Sequence, residues 1–287
     1  MIESEESLKK RQEIEKNQSL KENQIFMKEK IQLMKRTATI SIDRSDEIKQ
    51  IEQWTNTTFD KVLFDTECCN WDVNTSTFIE HVKGYDNNVF VIEDTNGNVF
   101  GGFLSVKNEF NEVRYDDHYW IDGIKDEETF VFSLKSNNRL PGPMKFSIIP
   151  SQIERCFHPE REDEGQLFGI GKGDIIIGKK INQKKCWVKQ TTFDYQGYTR
   201  ALTGTEGLHE EFEVKRVQVW HMKLTEEQRK QKEEKQQLKE QMRMNIFNEE
   251  LCQLNILSNN IVNEFRNEIE QIEEWSELKY KEIIFDS

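Results

Sequence analysis

The run Asn88-Val89-Phe90-Val91-Ile92-Glu93-Asp94-Thr95-Asn96-Gly97-Asn98-Val99-Phe100-Gly101-Gly102-Phe103 decides the fold class. Two segments rich in β-branched and aromatic residues flank Asn96-Gly97, and Asn-Gly in that setting is the strongest short-range signal for a β-hairpin. The pair is read as supplying positive φ to the turn. Gly101-Gly102 lies inside the second segment, where paired glycines predict a bulge or the close approach of another backbone.

Outward from this hairpin, further strands are predicted over 129–134, 144–149, 166–170, 174–178, 186–191 and 212–220. Phe130 and Phe132 alternate with Val131 and Ser133, so the phenylalanines are expected to fill one face of a sandwich. A helix is predicted over 45–54, with Ile48, Ile51 and Trp54 at i, i+3 and i+6. A second, over 77–82, carries Thr77 and Glu80 as a capping box and Gly84 as its stop. Short strands with frequent turns indicate antiparallel pairing. The fold class is therefore α+β, a two-sheet antiparallel β-sandwich with short flanking helices and long helical arms.

The arms follow from composition. All 14 glycines fall between Gly84 and Gly207 and all four prolines between Pro141 and Pro159, so helix breakers are confined to the middle. Three segments result: a polar helical arm over 1–42, a sandwich domain over 43–222 and a helical arm over 223–287. In the first arm Leu8, Ile14, Leu20, Ile25 and Ile31 recur about every six residues, which fits no helical period and predicts a solvated helix. The last arm holds a better seam. Leu251, Ser258, Phe265, Ile272 and Lys279 at one heptad position, with Leu254, Ile261, Glu268 and Trp275 at the other, make six of nine sites apolar. Such a stripe packs on the core, on the first arm, or on a separate partner.

Net charge of −13 argues against a nucleic-acid backbone as the main partner. Apolar runs of four or five residues are far short of the ~20 that span a bilayer, and Met1-Ile2-Glu3-Ser4-Glu5-Glu6 has the features of no secretory signal. Five cysteines, two of them adjacent at Cys68-Cys69, suit reduced thiols in a cytoplasmic protein rather than a disulfide framework.

The chain offers no self-evident active site, and neither cofactor nor metal is expected. Gly169-Ile170-Gly171-Lys172-Gly173 resembles a nucleotide loop, but Asp174 stands where a third glycine belongs and a strand follows instead of a helix. Gly173 to Lys180 lacks the final Ser or Thr of a phosphate loop. His209-Glu210-Glu211-Phe212-Glu213 lacks the second histidine of a zinc-protease helix, and Cys156 and His158 have no second ligand pair at zinc spacing. Asp116, Asp117, His118, Glu127 and Glu128 read as a solvated loop rather than catalytic groups. Glu128, at the entry to an apolar strand, either pairs with a loop or meets a partner.

With these residues laid out, the segment from Lys61 to Met222 resembles the TLDc domain of oxidation-resistance proteins. The resemblance rests on Val62-Leu63-Phe64-Asp65, the helix from Phe78 to Gly84, and Asp94-Thr95-Asn96-Gly97-Asn98-Val99-Phe100-Gly101-Gly102. It continues through Glu128-Thr129-Phe130-Val131-Phe132-Ser133-Leu134, Leu167-Phe168-Gly169-Ile170-Gly171 and the closing Phe212 to Trp220. The chain departs from the family pattern over 173–180 and in the loop within 186–204.

The resemblance implies a non-catalytic interaction protein that protects against oxidative damage and associates with the vacuolar proton-pumping ATPase. It would be cytoplasmic, or peripheral to endolysosomal or vacuolar membranes through a protein partner. A helix C-terminal to the domain contributes to that contact in some members, which makes Leu254, Ile261, Phe265, Ile272 and Trp275, with Glu128, candidate partner contacts. Two other readings stand beside it. One is a scaffold in the cytoskeleton or membrane traffic, self-associating through its arms. The other is an antioxidant working through Cys68, Cys69, Cys156, Cys186 or Cys252.

Overall fold

Gly97 closes the central hairpin at φ +81°. Its N–H donates to the Asp94 carbonyl at 3.1 Å, and the Asp94 N–H donates to the Asn98 carbonyl at 3.2 Å. Positive φ falls on the glycine alone and not on Asn96, so the loop ends on a left-handed residue, the three-residue solution rather than the two-residue primed turn. The Asp94 carboxylate secures it by accepting from the Asn98 N–H at 2.8 Å and the Asn98 side-chain amide at 2.6 Å.

The computed structural model describes residues 5–108, 115–116, 119–120, 124–159, 165–204 and 210–285. In chain order the helices and strands are α1 (Glu5–Asp43), α2 (Ser45–Thr55), β1 (Thr58–Asp65), α3 (Phe78–Val82), β2 (Asn88–Asp94), β3 (Val99–Leu104), β4 (Tyr115–Asp116), β5 (Tyr119–Trp120), β6 (Phe130–Lys135), β7 (Met144–Ser147), β8 (Phe157–His158), β9 (Gln166–Ile170), β10 (Ile175–Gly178), β11 (Cys186–Val188), β12 (Glu210–Phe212), β13 (Val214–Lys223) and α4 (Glu226–Phe285). The chain forms two compact units, Met1–Leu224 and Thr225–Ser287.

The first unit is an α+β sandwich. One sheet runs β1-β13-β2-β3-β6-β7 and the other β12-β11-β10-β9-β8, with every pairing antiparallel. β13 lies between β1 and β2, so Lys61 sits opposite His221 and the two ends of the sandwich close on each other. Phe90 meets Phe157 and Phe168 across the interior at 4.9 and 5.1 Å, and Phe100 meets Phe212 at 5.3 Å. Gly102 lets the sheets approach, since a methyl there would stand 2.8 Å from Ile170 Cδ1. A methyl on Gly101 would collide with the Phe90 carbonyl. The β2–β3 register is unbroken, so close approach rather than a bulge accounts for the pair.

Phe130 and Phe132 share a face, and it is the one turned away from the second sheet. Trp54 of α2 covers them, with ring centroids 6.3 and 6.0 Å away. Val131 and Ser133 are buried as well, because both faces of this sheet are covered. Four of the described strands lay outside the sequence-based expectations, two of them the short pair β4 and β5. β1 hides its period, with four exposed or half-exposed residues followed by four buried ones, and β8 is two residues long.

Two local expectations are revised, at Thr77 and in the first arm, and the reading of the glycine-rich run as a strand turn holds. Thr77 precedes α3 but makes no capping hydrogen bond; its hydroxyl donates instead to Glu29 at 2.9 Å. The glycine-rich run forms a turn between β9 and β10, where Asp174 accepts from the backbone of Thr191 and Thr192 and from the Tyr195 hydroxyl. The first arm is solvated only in part. Ile14, Leu20, Ile25 and Ile31 are exposed, but Leu33 and Ile40 are buried.

The second unit is α4. Thr225 and Gln228 cap it reciprocally, the Thr225 N–H donating to Gln228 Oε1 at 2.7 Å and the Gln228 N–H to Thr225 Oγ1 at 3.2 Å. Sixty residues give a rod of roughly 90 Å at 1.5 Å per residue. Among the described residues, no helix is long and apolar enough to cross a membrane.

Candidate functional site

α1 meets the sandwich through Phe26, Glu29, Leu33, Thr37 and Ile40. Their spacing of three and four residues is the one-face signature of a helix. Leu33 and Ile40 are buried, each contributing roughly 1.5–3 kcal/mol if fully withdrawn from water. Polar contacts fix the register. Thr37 Oγ1 accepts the Val62 N–H at 3.0 Å, Arg36 pairs with Glu67 at 2.9 Å, and Arg44 reaches Glu93 at 2.8 Å.

The turn that follows β1 is built around Asp65. Its carboxylate accepts two hydrogen bonds from Arg216, at 3.1 and 2.6 Å, and one from the Gln218 amide at 3.0 Å. Burial disfavours the Arg216 cation, but the Asp65 and Glu67 carboxylates outweigh it and hold its pKa above the usual value. The Asp65 carbonyl accepts the N–H groups of Cys68 and Cys69, which orients the two thiols. Their sulfurs stand 4.0 Å apart. The hydrogen bond to Cys68, reinforced by burial, raises the Cys69 thiol, and the same bond lowers Cys68 despite burial.

Glu29, Cys69 and His81 converge beside this turn. They are 6, 5 and 4% exposed, and their donor atoms all lie within 4.8 Å of one another. Glu29 Oε1 accepts the Asn70 N–H at 2.8 Å, while Oε2 accepts the Thr77 hydroxyl and His81 Nε2, each at 2.9 Å. Burial alone would raise the Glu29 pKa; the hydrogen bonds from His81, Asn70 and Thr77 together bring it below the usual value. The Phe26 ring lies 4.5 Å from the imidazole. A cleft of about 270 Å³, lined by Lys30, Thr37, Lys61, His81 and Tyr85 among others, opens alongside. A carboxylate, a thiol and an imidazole held at this range can coordinate a cation or lock the helix by hydrogen bonding.

Sequence reasoning named Cys69 only as a thiol and did not single out Glu29 or His81. The stripe from Phe26 to Ile40 was the available signal for Glu29.

The residues that sequence reasoning did single out are scattered. Asn96, Gly97, Gly101 and Gly102 build the central hairpin. Glu128 is exposed just before β6, and its N–H donates to Asp126 Oδ1 at 2.9 Å. Asp126, passed over in the sequence, is the buried anchor there, accepting also from the Ser105 N–H and hydroxyl at 2.6 and 2.8 Å. Cys156 and His158 do not meet as a metal pair: the Cys156 thiol donates to the Asp126 carbonyl, while the imidazole bridges Gln166 and the Gly171 carbonyl. On α4, Leu254 and Ile272 are 64 and 65% exposed. The side chains of Asp116, Ile261, Phe265 and Trp275, and all of Asp117, His118 and His209, lie outside the described residues.

No curated protein matches the chain. The family model for the TLDc domain matches residues 61–223, which is more than half of the 287 residues and runs from β1 to the end of β13. The chain belongs to the TLDc domain family.

Proposed function

We propose that this protein is a non-catalytic interaction protein of the oxidative-stress protection type, engaging the vacuolar proton-pumping ATPase. The observation that carries this reading is the family match across the whole two-sheet sandwich. Two features support it. The buried carboxylates Asp65, Asp94, Asp126 and Asp174 are each spent on fixing turns and strand ends by hydrogen bonds. The apolar residues Leu251, Leu254, Leu257 and Ile272 are exposed on α4, as a helix that meets a partner requires.

Affinity capture from native lysate tests this with the full chain against the full-chain variant Leu254→Asp/Ile272→Asp. Recovery of proton-pump subunits by the wild type, reduced at least tenfold by the variant, is expected. Recovery of cytoskeletal or trafficking proteins without pump subunits would replace this reading with that of an arm-driven scaffold.

A further inference from the structure

We propose that Glu29, Cys69 and His81 form a binding site for a zinc-type divalent cation that fastens α1 to the sandwich. The three residues come from distant places in the sequence: the N-terminal helix, the turn after β1 and α3. Each is more than nine-tenths buried, and their donor atoms fall within one 4.8 Å cluster. Leu33 and Ile40 bury apolar surface in the same contact, and within it Glu29 is held by the Asn70 N–H, the Thr77 hydroxyl and His81, so the cluster sits preorganised in surroundings that exclude water.

The geometry suits a four-coordinate ion. Bonds of about 2.0–2.3 Å place tetrahedral ligand atoms roughly 3.3–3.8 Å apart. Glu29 Oε2 and His81 Nε2 stand at 2.9 Å and must part by about half an ångström as the ion enters between them. Supporting hydrogen bonds are in place, since the Asn70 N–H and the Thr77 hydroxyl orient the carboxylate. Cys68 Sγ stands 4.0 Å from Cys69 Sγ and, beside water, is a candidate for the fourth position.

A donor set of thiolate, imidazole and carboxylate selects zinc-like ions over magnesium or calcium, which take oxygen ligands. Binding displaces the Cys69 thiol proton to solvent, and the proton that His81 Nε2 shares with Glu29 is released or moves to Nδ1 so that Nε2 binds the ion. Because Glu29 is the one ligand from α1, loading couples metal to the seating of that helix.

The test is titration of the purified, chelator-stripped full chain with Co²⁺, followed by absorbance. The expected result is one equivalent bound, with a thiolate-to-cobalt charge-transfer band and intense visible bands of tetrahedral cobalt, both abolished by stoichiometric Zn²⁺. Cys69→Ser should remove the charge-transfer band. His81→Gln and Glu29→Gln should weaken binding at least about tenfold, since even partners that only orient a ligand are worth 10–100-fold. Cys252→Ser, at an exposed cysteine, should leave the spectrum unchanged. Near-ultraviolet circular dichroism checks that each variant stays folded, and His81→Gln gives an independent readout if Cys69→Ser unfolds. Absence of the charge-transfer band in the wild type, its persistence in folded Cys69→Ser, or its loss in Cys252→Ser would overturn the proposal.

Discussion

Arg216 on β13 grips Asp65 at the end of β1 with two nitrogens, 3.1 and 2.6 Å from the two carboxylate oxygens. Asp65 is fully buried, so the pair joins the first and last strands of the sandwich and also sets the turn carrying Cys68 and Cys69. Removing one partner leaves a buried charge uncompensated, which costs about 3–5 kcal/mol. Arg216→Ala is therefore expected to unfold at markedly lower urea. The double variant Asp65→Asn/Arg216→Ala should lose less than the sum of the single losses, as a double-mutant cycle would measure.

The hairpin glycines should differ in kind. Gly97 has open space around its Cβ position but lies at φ +81°, so Gly97→Ala costs about 1–2 kcal/mol and Gly97→Asn less. Gly101 faces the Phe90 backbone carbonyl, which cannot rotate away as a side chain can. Gly101→Ala should be the more damaging change in thermal unfolding, by the mechanism of overpacking.

The two ends of α1 should respond differently to truncation. Leu33→Ala, at a buried position, is expected to cost about 2–5 kcal/mol. Leu20→Ala, more than half exposed, should stay within about 0.5 kcal/mol of the wild type. Equal losses at the two positions in urea unfolding would contradict the docking of α1 described above.

Much of the sandwich was legible because its strands announce themselves through β-branched and aromatic runs and an Asn-Gly turn. β1 was not, since Phe59 is the single apolar residue in its first half and Val62-Leu63-Phe64 then runs on without alternation. Glu29 was missed for a related reason. The eye falls on Ile14, Leu20, Ile25 and Ile31, which are exposed, while the face that docks mixes a phenylalanine, a glutamate and a threonine with two aliphatic residues. The Glu29–Cys69–His81 cluster is tertiary, and no local spacing relates positions 29, 69 and 81.

Acid should weaken the contact that Arg44 makes with β2. Burial raises the Glu93 pKa, but Lys215 and Arg44 outweigh it and leave the carboxyl below its usual value. A lowered folded pKa means stability that is present above the unfolded value of about 4.3 and lost as pH falls through the folded one. Glu93→Gln should therefore destabilise the chain at neutral pH, and the difference in thermal midpoint from wild type should shrink as pH falls below about 4. Asp126 runs the other way. Burial dominates its hydrogen bonds and raises its pKa, so its contribution declines as pH rises from the unfolded toward the folded value.

Thiol reactivity separates the antioxidant reading from the interaction reading. Cys252 is exposed and Cys68 half-buried, whereas Cys69, Cys156 and Cys186 are buried, and burial pushes the Cys186 thiol up to about 12. Under native alkylation Cys252 should be labelled first and Cys68 next, with the other three protected, as peptide mass mapping would show. Rapid labelling of Cys156 or Cys186 would mean that the sandwich opens far more readily than its packing implies.

Engagement of the proton pump is decided by adding purified full chain to vacuolar membrane vesicles, with ATP-driven acidification and co-sedimentation measured together. The wild-type chain is expected to sediment with the vesicles and change the acidification rate, and Leu254→Asp/Ile272→Asp to lose both effects. A folded wild-type chain that neither sediments with pump-bearing vesicles nor alters acidification would contradict it.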